Sequence, residues 1–351
     1  MKLARLPFLI AGASCLFVAI SAGLARLGLG VPAPDPALHG VLMVSGFFGT
    51  LIGLERAVAH GAAWTYLAPM SAALSAAVAL AGAPGAAAWV AVVSSAWFSL
   101  VSAVLARRHV ADFTLVLVLA GLAWTAGNLS WALGAATDRT LPWSIAFLTL
   151  TIFAERRELG RVLSPGHNAG RAFLAVVALV VAGATAISTG HDAARTGLAL
   201  GLIGMAAWLV RFDVARHTVK KRGLTRFMAV ALISGYVWLA IGGLAMLAAR
   251  GDVAGARFDA FVHALMLGFV FSMVFAHAPV IFPAVIGVPL AYSPAFYLHL
   301  GLLQLSLMAR LVGDFTGHAL LRTAGGIGNA LTIVLFVLLS ASAVARARKK
   351  P

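Results

Sequence analysis

Cysteine and charge are both scarce in this 351-residue chain, and each scarcity excludes something. The one cysteine, Cys15, allows no internal disulfide and leaves no Cys-based zinc site. Only 11% of the residues are charged and 62% are hydrophobic, whereas a soluble domain carries about a quarter charged residues. No soluble core of this size buries so much apolar side chain, so the expected solvent is a lipid bilayer. Acidic residues are the scarcest charges, 11 against 26 Lys and Arg, for a net +15. That excess does not mark a nucleic-acid binder, because the basic residues fall in short runs between apolar segments and form no single face or tail. A phosphate-cradling P-loop, a dinucleotide glycine fingerprint and a zinc-protease helix motif are all missing. Long polar segments are missing too, so any function is expected inside a helical bundle or at its ends.

What is present is a succession of apolar stretches of about 18–25 residues, each long enough to cross the hydrocarbon core as a helix. Breaks at charges, Pro and Gly predict twelve spans: 7–29, 37–59, 64–82, 85–106, 111–134, 141–160, 171–189, 193–211, 226–249, 258–281, 294–312 and 319–345. Gly82-Ala83-Pro84-Gly85 predicts a tight hairpin between the third and fourth. The fold class expected is an all-α polytopic bundle forming one membrane domain. With twelve spans, 19 Lys and Arg fall on the side of the two termini and 7 on the other. The positive-inside rule then places both termini in the cytoplasm, in a bacterial-type inner membrane. Cys15 lacks the leucine-like residue three positions upstream that a lipidation signal carries, and Pro7–Ala25 is long for a signal core. Cys15 is read as a packing residue of a true first helix.

Ionisable groups inside a membrane are costly and mark candidate sites. Six of the ten histidines, His60, His109, His167, His191, His217 and His318, fall in or beside loops. The other four, His39, His263, His277 and His299, lie within spans or at their mouths. At α-helical spacing His39, Met43, Gly46 and Thr50 share one stripe of the second span, whose glycines admit either a flat cofactor or a neighbouring helix. Asp259 and His263 are spaced i,i+4, so the carboxylate can hold one ring nitrogen and orient the other toward a metal. His263 and His277 lie about 21 Å apart along an ideal α-helix, too far to share one metal atom. In depth, His39 pairs with His263 and His277 with His299. A bis-histidine haem, or one with an open position, between the second and tenth helices is one geometry these pairs allow, with a second site at His277 and His299. Arg310 and Asp314 read as an i,i+4 rim pair, Glu55-Arg56 and Glu155-Arg156-Arg157-Glu158 as interfacial ion pairs. Asn128 and Gln304 read as cavity-lining or cross-helix groups, and Trp124, Trp131 and Trp143 as interface anchors.

The blocks His39…Leu42-Met43…Gly46-Phe47 and His263-Ala264-Leu265-Met266…Gly268, followed by a helix ending near Leu302–Arg310, resemble the NnrS family. That family comprises twelve-helix bacterial membrane proteins containing haem and copper, associated with nitric oxide stress and denitrification. More distantly, a twelve-helix bundle with intramembrane histidines is similar to the haem–copper oxidase catalytic subunit. The resemblance implies haem b, with copper as a second metal, and nitric oxide as a diatomic ligand beside a redox partner. It carries His39 and His263 over as haem ligands and His277 and His299 as further candidates. The oxidase's His-Pro-Glu segment and His-His pair are not in this sequence, where His277-Ala278-Pro279 stands instead. Two functions are therefore expected in competition: a haem-binding protein of nitric oxide or respiratory redox metabolism, and a cofactor-free twelve-helix secondary transporter with Gly- and Pro-interrupted helices.

Overall fold

A computed structural model describes residues 3–163, 166–249 and 251–348. Lys2, Arg250, Lys349 and Lys350 of the charge count lie outside the described residues. Among the described residues there is no strand, and twelve long helices follow one another. They are α1 (Leu6–Arg26), α2 (Pro36–His60), α3 (Ala63–Leu80), α4 (Pro84–Arg108), α5 (Asp112–Ala132) and α6 (Thr137–Leu159). Then come α7 (His167–Ser188), α8 (Asp192–Phe212), α9 (Gly223–Ala248), α10 (Ala256–Val285), α11 (Phe296–Thr316) and α12 (Ala319–Arg348). Local chemistry sets the breaks. The hairpin expected at Gly82–Gly85 forms, with Gly82 at φ +86° and Pro84 opening α4 where its missing N–H costs no bond. Gly317 at φ +72° turns α11 into α12 in the same way.

Eleven of the twelve helices are long and apolar enough to cross a membrane. The exception is α6, the span expected at 141–160. Asp138-Arg139 near its start and Glu155-Arg156-Arg157-Glu158 at its end leave an uncharged stretch from Thr140 to Ala154 that reaches only about 22 Å. Its residues Ile145–Ala154 are buried throughout, and a helix shielded by protein does not need a full apolar length.

The chain divides into two compact units, one up to Thr151 and one from Ile152 onward. In the first, Trp124 stacks on Phe147 with ring centroids 4.7 Å apart, and Phe98 meets both edge-on. Trp124 is therefore a core residue, which corrects its reading as an interface anchor. Apolar surroundings supply no water, so hydroxyls on these helices bond to backbone carbonyls, as Ser94 does to Ala68 at 2.8 Å and Ser75 to Ala87 at 2.8 Å. In the second unit Phe153, Phe173 and Trp208 pack together. There α11 and α12 approach backbone to backbone: a Cβ on Gly313 would stand 2.3 Å from the Arg322 nitrogen, and one on Gly325 2.4 Å from that of Arg310.

Candidate functional site

Among the described residues two helices contain π-helical turns, and they are the two that carry the histidine blocks. Leu42–Gly49 of α2 and Ala264–Phe271 of α10 are each an eight-residue π-helical stretch. Such wide turns are uncommon and recur at functional sites. His39 stands three residues before the first and His263 immediately before the second. Each stretch holds a glycine under an indole: a Cβ on Gly49 would lie 2.5 Å from the Trp124 ring, and one on Gly268 2.4 Å from that of Trp238. Each is followed by a buried hydroxyl, Thr50 and Ser272. The π turns also change the periodicity, so the α-helical stripe expected through His39, Met43, Gly46 and Thr50 does not hold: Met43 is half-buried while Gly46 and Thr50 are fully enclosed. The π stretch between His263 and His277 has a smaller rise per residue than the α-helix assumed for their separation of about 21 Å.

Three of the four glycines of α2 are packing sites, Gly40 being open. Gly46 faces Cys15 and Ala76, Gly49 faces Trp124, and Gly53 faces Pro69, so side chains of the first unit already fill the space a Cβ would take. Cys15 is the small buried packing residue expected.

Three of the four intramembrane histidines share one arrangement. His39 Nδ1 lies 2.7 Å from the Ala19 carbonyl, and its ring rests on Gly23 of α1, where a Cβ would come within 2.8 Å of it. His263 Nδ1 lies 2.9 Å from the Asp259 carbonyl, and His277 Nδ1 2.7 Å from that of Met273, each bonding back four residues along its own helix. A carbonyl only accepts, so Nδ1 carries a proton in all three, and Nε2 is the ring nitrogen that a metal would take. That is the second-shell pattern that orients histidine ligands to metals. His299 differs. It is 1% exposed, its ring nitrogens have no hydrogen-bond partner, and Phe227, Phe275, Phe296 and Phe336 surround it at centroid distances of 4.6–5.8 Å.

Around His263 the second unit builds a charged cluster. Asp259 Oδ1 stands 3.3 Å from His263 Nδ1, as the i,i+4 spacing predicted. Asp259 Oδ2 accepts from Arg310 Nη2 at 2.8 Å and Nε at 3.1 Å, with Arg322 at 3.9 Å. Asp314 faces Arg322, at 2.9 Å. The rim pair expected between Arg310 and Asp314 is thus replaced by two cross-helix pairs, because Arg310 turns toward α10 and Asp314 toward α12. Arg322 escaped the sequence reading, and Arg310 was read only as half of the rim pair. Their only signal was that the end of α11 and the start of α12 must meet the start of α10 at the same end of an antiparallel bundle.

The remaining polar groups settle as cross-helix bonds. Asn128 donates to the Ala91 carbonyl at 3.1 Å and accepts from Ser45, and Gln304 accepts from the Trp238 indole. Arg156 pairs with Asp213, not with its neighbouring glutamates, through bonds of 2.7 and 2.8 Å, both residues being buried. Among the loop histidines, His60 packs edge-on against Trp64 at 5.0 Å and its ring nitrogens are buried. His39 belongs to the first unit and His263, His277 and His299 to the second. Among the described residues no three His, Cys, Asp or Glu side chains gather as a metal site.

The family model described as "Domain of unknown function (DUF8744)" matches residues 5–345, nearly the whole chain, and the chain belongs to that family. No curated protein matches it.

Proposed function

We propose that this DUF8744 protein binds haem through intramembrane histidines and acts in nitric oxide or respiratory redox metabolism. The observation that carries the reading is the common setting of His39 and His263: Nδ1–H donated to a carbonyl, so that Nε2 is the nitrogen a metal would take, and a π-helical stretch that begins three residues after His39 and one residue after His263. These residues fit the chemistry of an axial ligand, which must be neutral and fixed in orientation. Met43, on the π stretch of α2 in the first unit, and His277, in the second, are the next candidate residues, whereas the four phenylalanines around His299 leave its ring no open face. Bound haem supplies an iron that exchanges one electron or holds a diatomic ligand such as nitric oxide. The protein's part is to hold the imidazoles, exclude water and, through Asp259 and Arg310, fix the His263 ring. The 19-to-7 division of Lys and Arg supports a bacterial-type inner membrane with both termini cytoplasmic.

Optical spectra of the detergent-purified protein, oxidised and dithionite-reduced, test the proposal. The expected result is a Soret band with sharp reduced α and β bands that His39→Ala or His263→Ala abolishes. A colourless protein, prepared with haem supplied, overturns it. The second reading, a secondary transporter, then leads; it is favoured by the two compact units and by the irregular turns in α2 and α10.

Asp259→Asn supplies a graded test. It keeps the size of the side chain but removes the charge that Arg310 binds, so the His263 ring loses its fixed partner. Haem affinity is expected to fall about 10–100-fold, as for other second-shell changes, measured by transfer to apomyoglobin. Unchanged transfer would mean that His263 is not a ligand or that its backbone bond alone orients it.

A further inference from the structure

α2 and α10 repeat a pattern that the histidines do not explain. In each, the residue that ends the π-helical stretch is followed at once by a hydroxyl side chain, Thr50 after Leu42–Gly49 and Ser272 after Ala264–Phe271. Both residues are 0% exposed, and neither hydroxyl has a hydrogen-bond partner. Among the described residues Ser102 is the one other serine or threonine whose buried hydroxyl has no partner. Ser95, Ser99, Thr125, Ser130, Thr149, Thr151 and Ser306 each bond the carbonyl four residues back on a regular helix. After a π stretch that carbonyl is no longer where α geometry puts it, so the hydroxyl loses its internal acceptor.

Each orphaned hydroxyl has polar company. In the first unit the benzo edge of the Trp124 indole lies on Gly49, the residue before Thr50, and the indole Nε1 is also buried without a partner. In the second, the Ser272 Cβ and the Phe269 carbonyl face Gly235 of α9, at 3.1 and 3.3 Å from a Cβ built there, beside the Met273 methyl. A carbonyl in a helix keeps a second lone pair. Buried polar groups of this kind are regularly satisfied by internal water, which needs two to four polar partners.

We infer that each unit holds an ordered internal water at the π-to-α junction, bound by Thr50 and Trp124 in the first unit and by Ser272 and the Phe269 carbonyl in the second. These sites put water deep inside the two helices that carry His39 and His263. They require no haem and stand whether or not haem binds.

X-ray radiolytic hydroxyl-radical labelling of the intact protein tests the inference, because bound water generates radicals beside residues that bulk solvent does not reach. Met273, 2% exposed and next to Ser272, is expected to label several-fold faster than Met205, 0% exposed in α8. Phe48, 5% exposed and two residues from Thr50, is expected to outpace Phe173, 0% exposed in α7. Thr50→Val and Ser272→Ala should each slow labelling at the neighbouring residue and lower the melting temperature by about 2 °C, since a bound water loses a partner. Equal labelling of Met273 and Met205, and of Phe48 and Phe173, would overturn the inference. So would a higher melting temperature in both variants, the result expected when a dry, unpaired hydroxyl is replaced by a methyl group.

Discussion

Asp213→Ala is expected to lower stability by about 3–5 kcal/mol, enough to deplete folded protein on extraction into detergent. Asp213 accepts two bonds from Arg156 and a third, at 2.6 Å, from the Ala215 backbone N–H, which opens a short helix after α8. Truncating the carboxylate leaves a guanidinium buried with no counter-charge, and the cost of that stranded charge exceeds the worth of the pair itself. The paired substitution Arg156→Met with Asp213→Leu is therefore expected to recover most of the loss, because apolar residues of similar volume replace buried ion pairs with little penalty. The measurement is the unfolding midpoint of single and double variants in one detergent. If the double variant is as unstable as the sum of the singles, the two residues are not coupled and the pair is not what holds this end of the second unit.

Most of the fold was legible because lipid imposes few solutions. Apolar length, turn glycines and Pro84 mark the helices to within a few residues, and the Gly82–Gly85 hairpin lies where its residues place it. Legibility failed where tertiary contacts override local pattern. Arg156 sits among Glu155 and Glu158, yet its partner is 57 residues away, and no spacing rule reaches that far. Trp124 looks like an interface anchor by composition, but Phe98 and Phe147 enclose it. The charges that shorten α6 were visible, while the burial of Ile145–Ala154 that makes them tolerable was not.

The histidine blocks of the candidate site were visible as well, and so was the i,i+4 contact of Asp259 with His263. The π-helical stretches were not, since Leu42–Gly49 and Ala264–Phe271 are apolar runs that read as ordinary α-helix. Their effect is to rotate every later residue on those helices away from its expected face. That moves Thr50 off the stripe of His39 and leaves two hydroxyls without the acceptor a regular helix supplies. Legible chemistry thus sat on backbone geometry that was not legible.

Gly325→Val is expected to act on stability and on the His263 cluster together. α11 and α12 touch at Gly313 and Gly325, and the atom a Gly325 Cβ would strike first is the backbone nitrogen of Arg310, which cannot swing away as a side-chain tip can. Opening that crossing costs about 1–3 kcal/mol, the usual range for overpacking. It also moves the residue whose guanidinium holds Asp259 at 2.8 Å, and Asp259 in turn holds His263. Gly301→Ala is the control. A Cβ there meets nothing within 4 Å, so α11 is expected to gain about 0.5–1 kcal/mol from the better helix former. Two readouts separate the effects: the unfolding midpoint, and the tautomer of His263 followed by ¹⁵N NMR of the ring nitrogens. A shift in both for Gly325→Val, with neither disturbed in Gly301→Ala, means that the α11–α12 glycine crossing positions the cluster. A lower midpoint with an unchanged His263 signal means that the Asp259 carbonyl bond alone sets the ring, and Arg310 then serves only to neutralise a buried carboxylate.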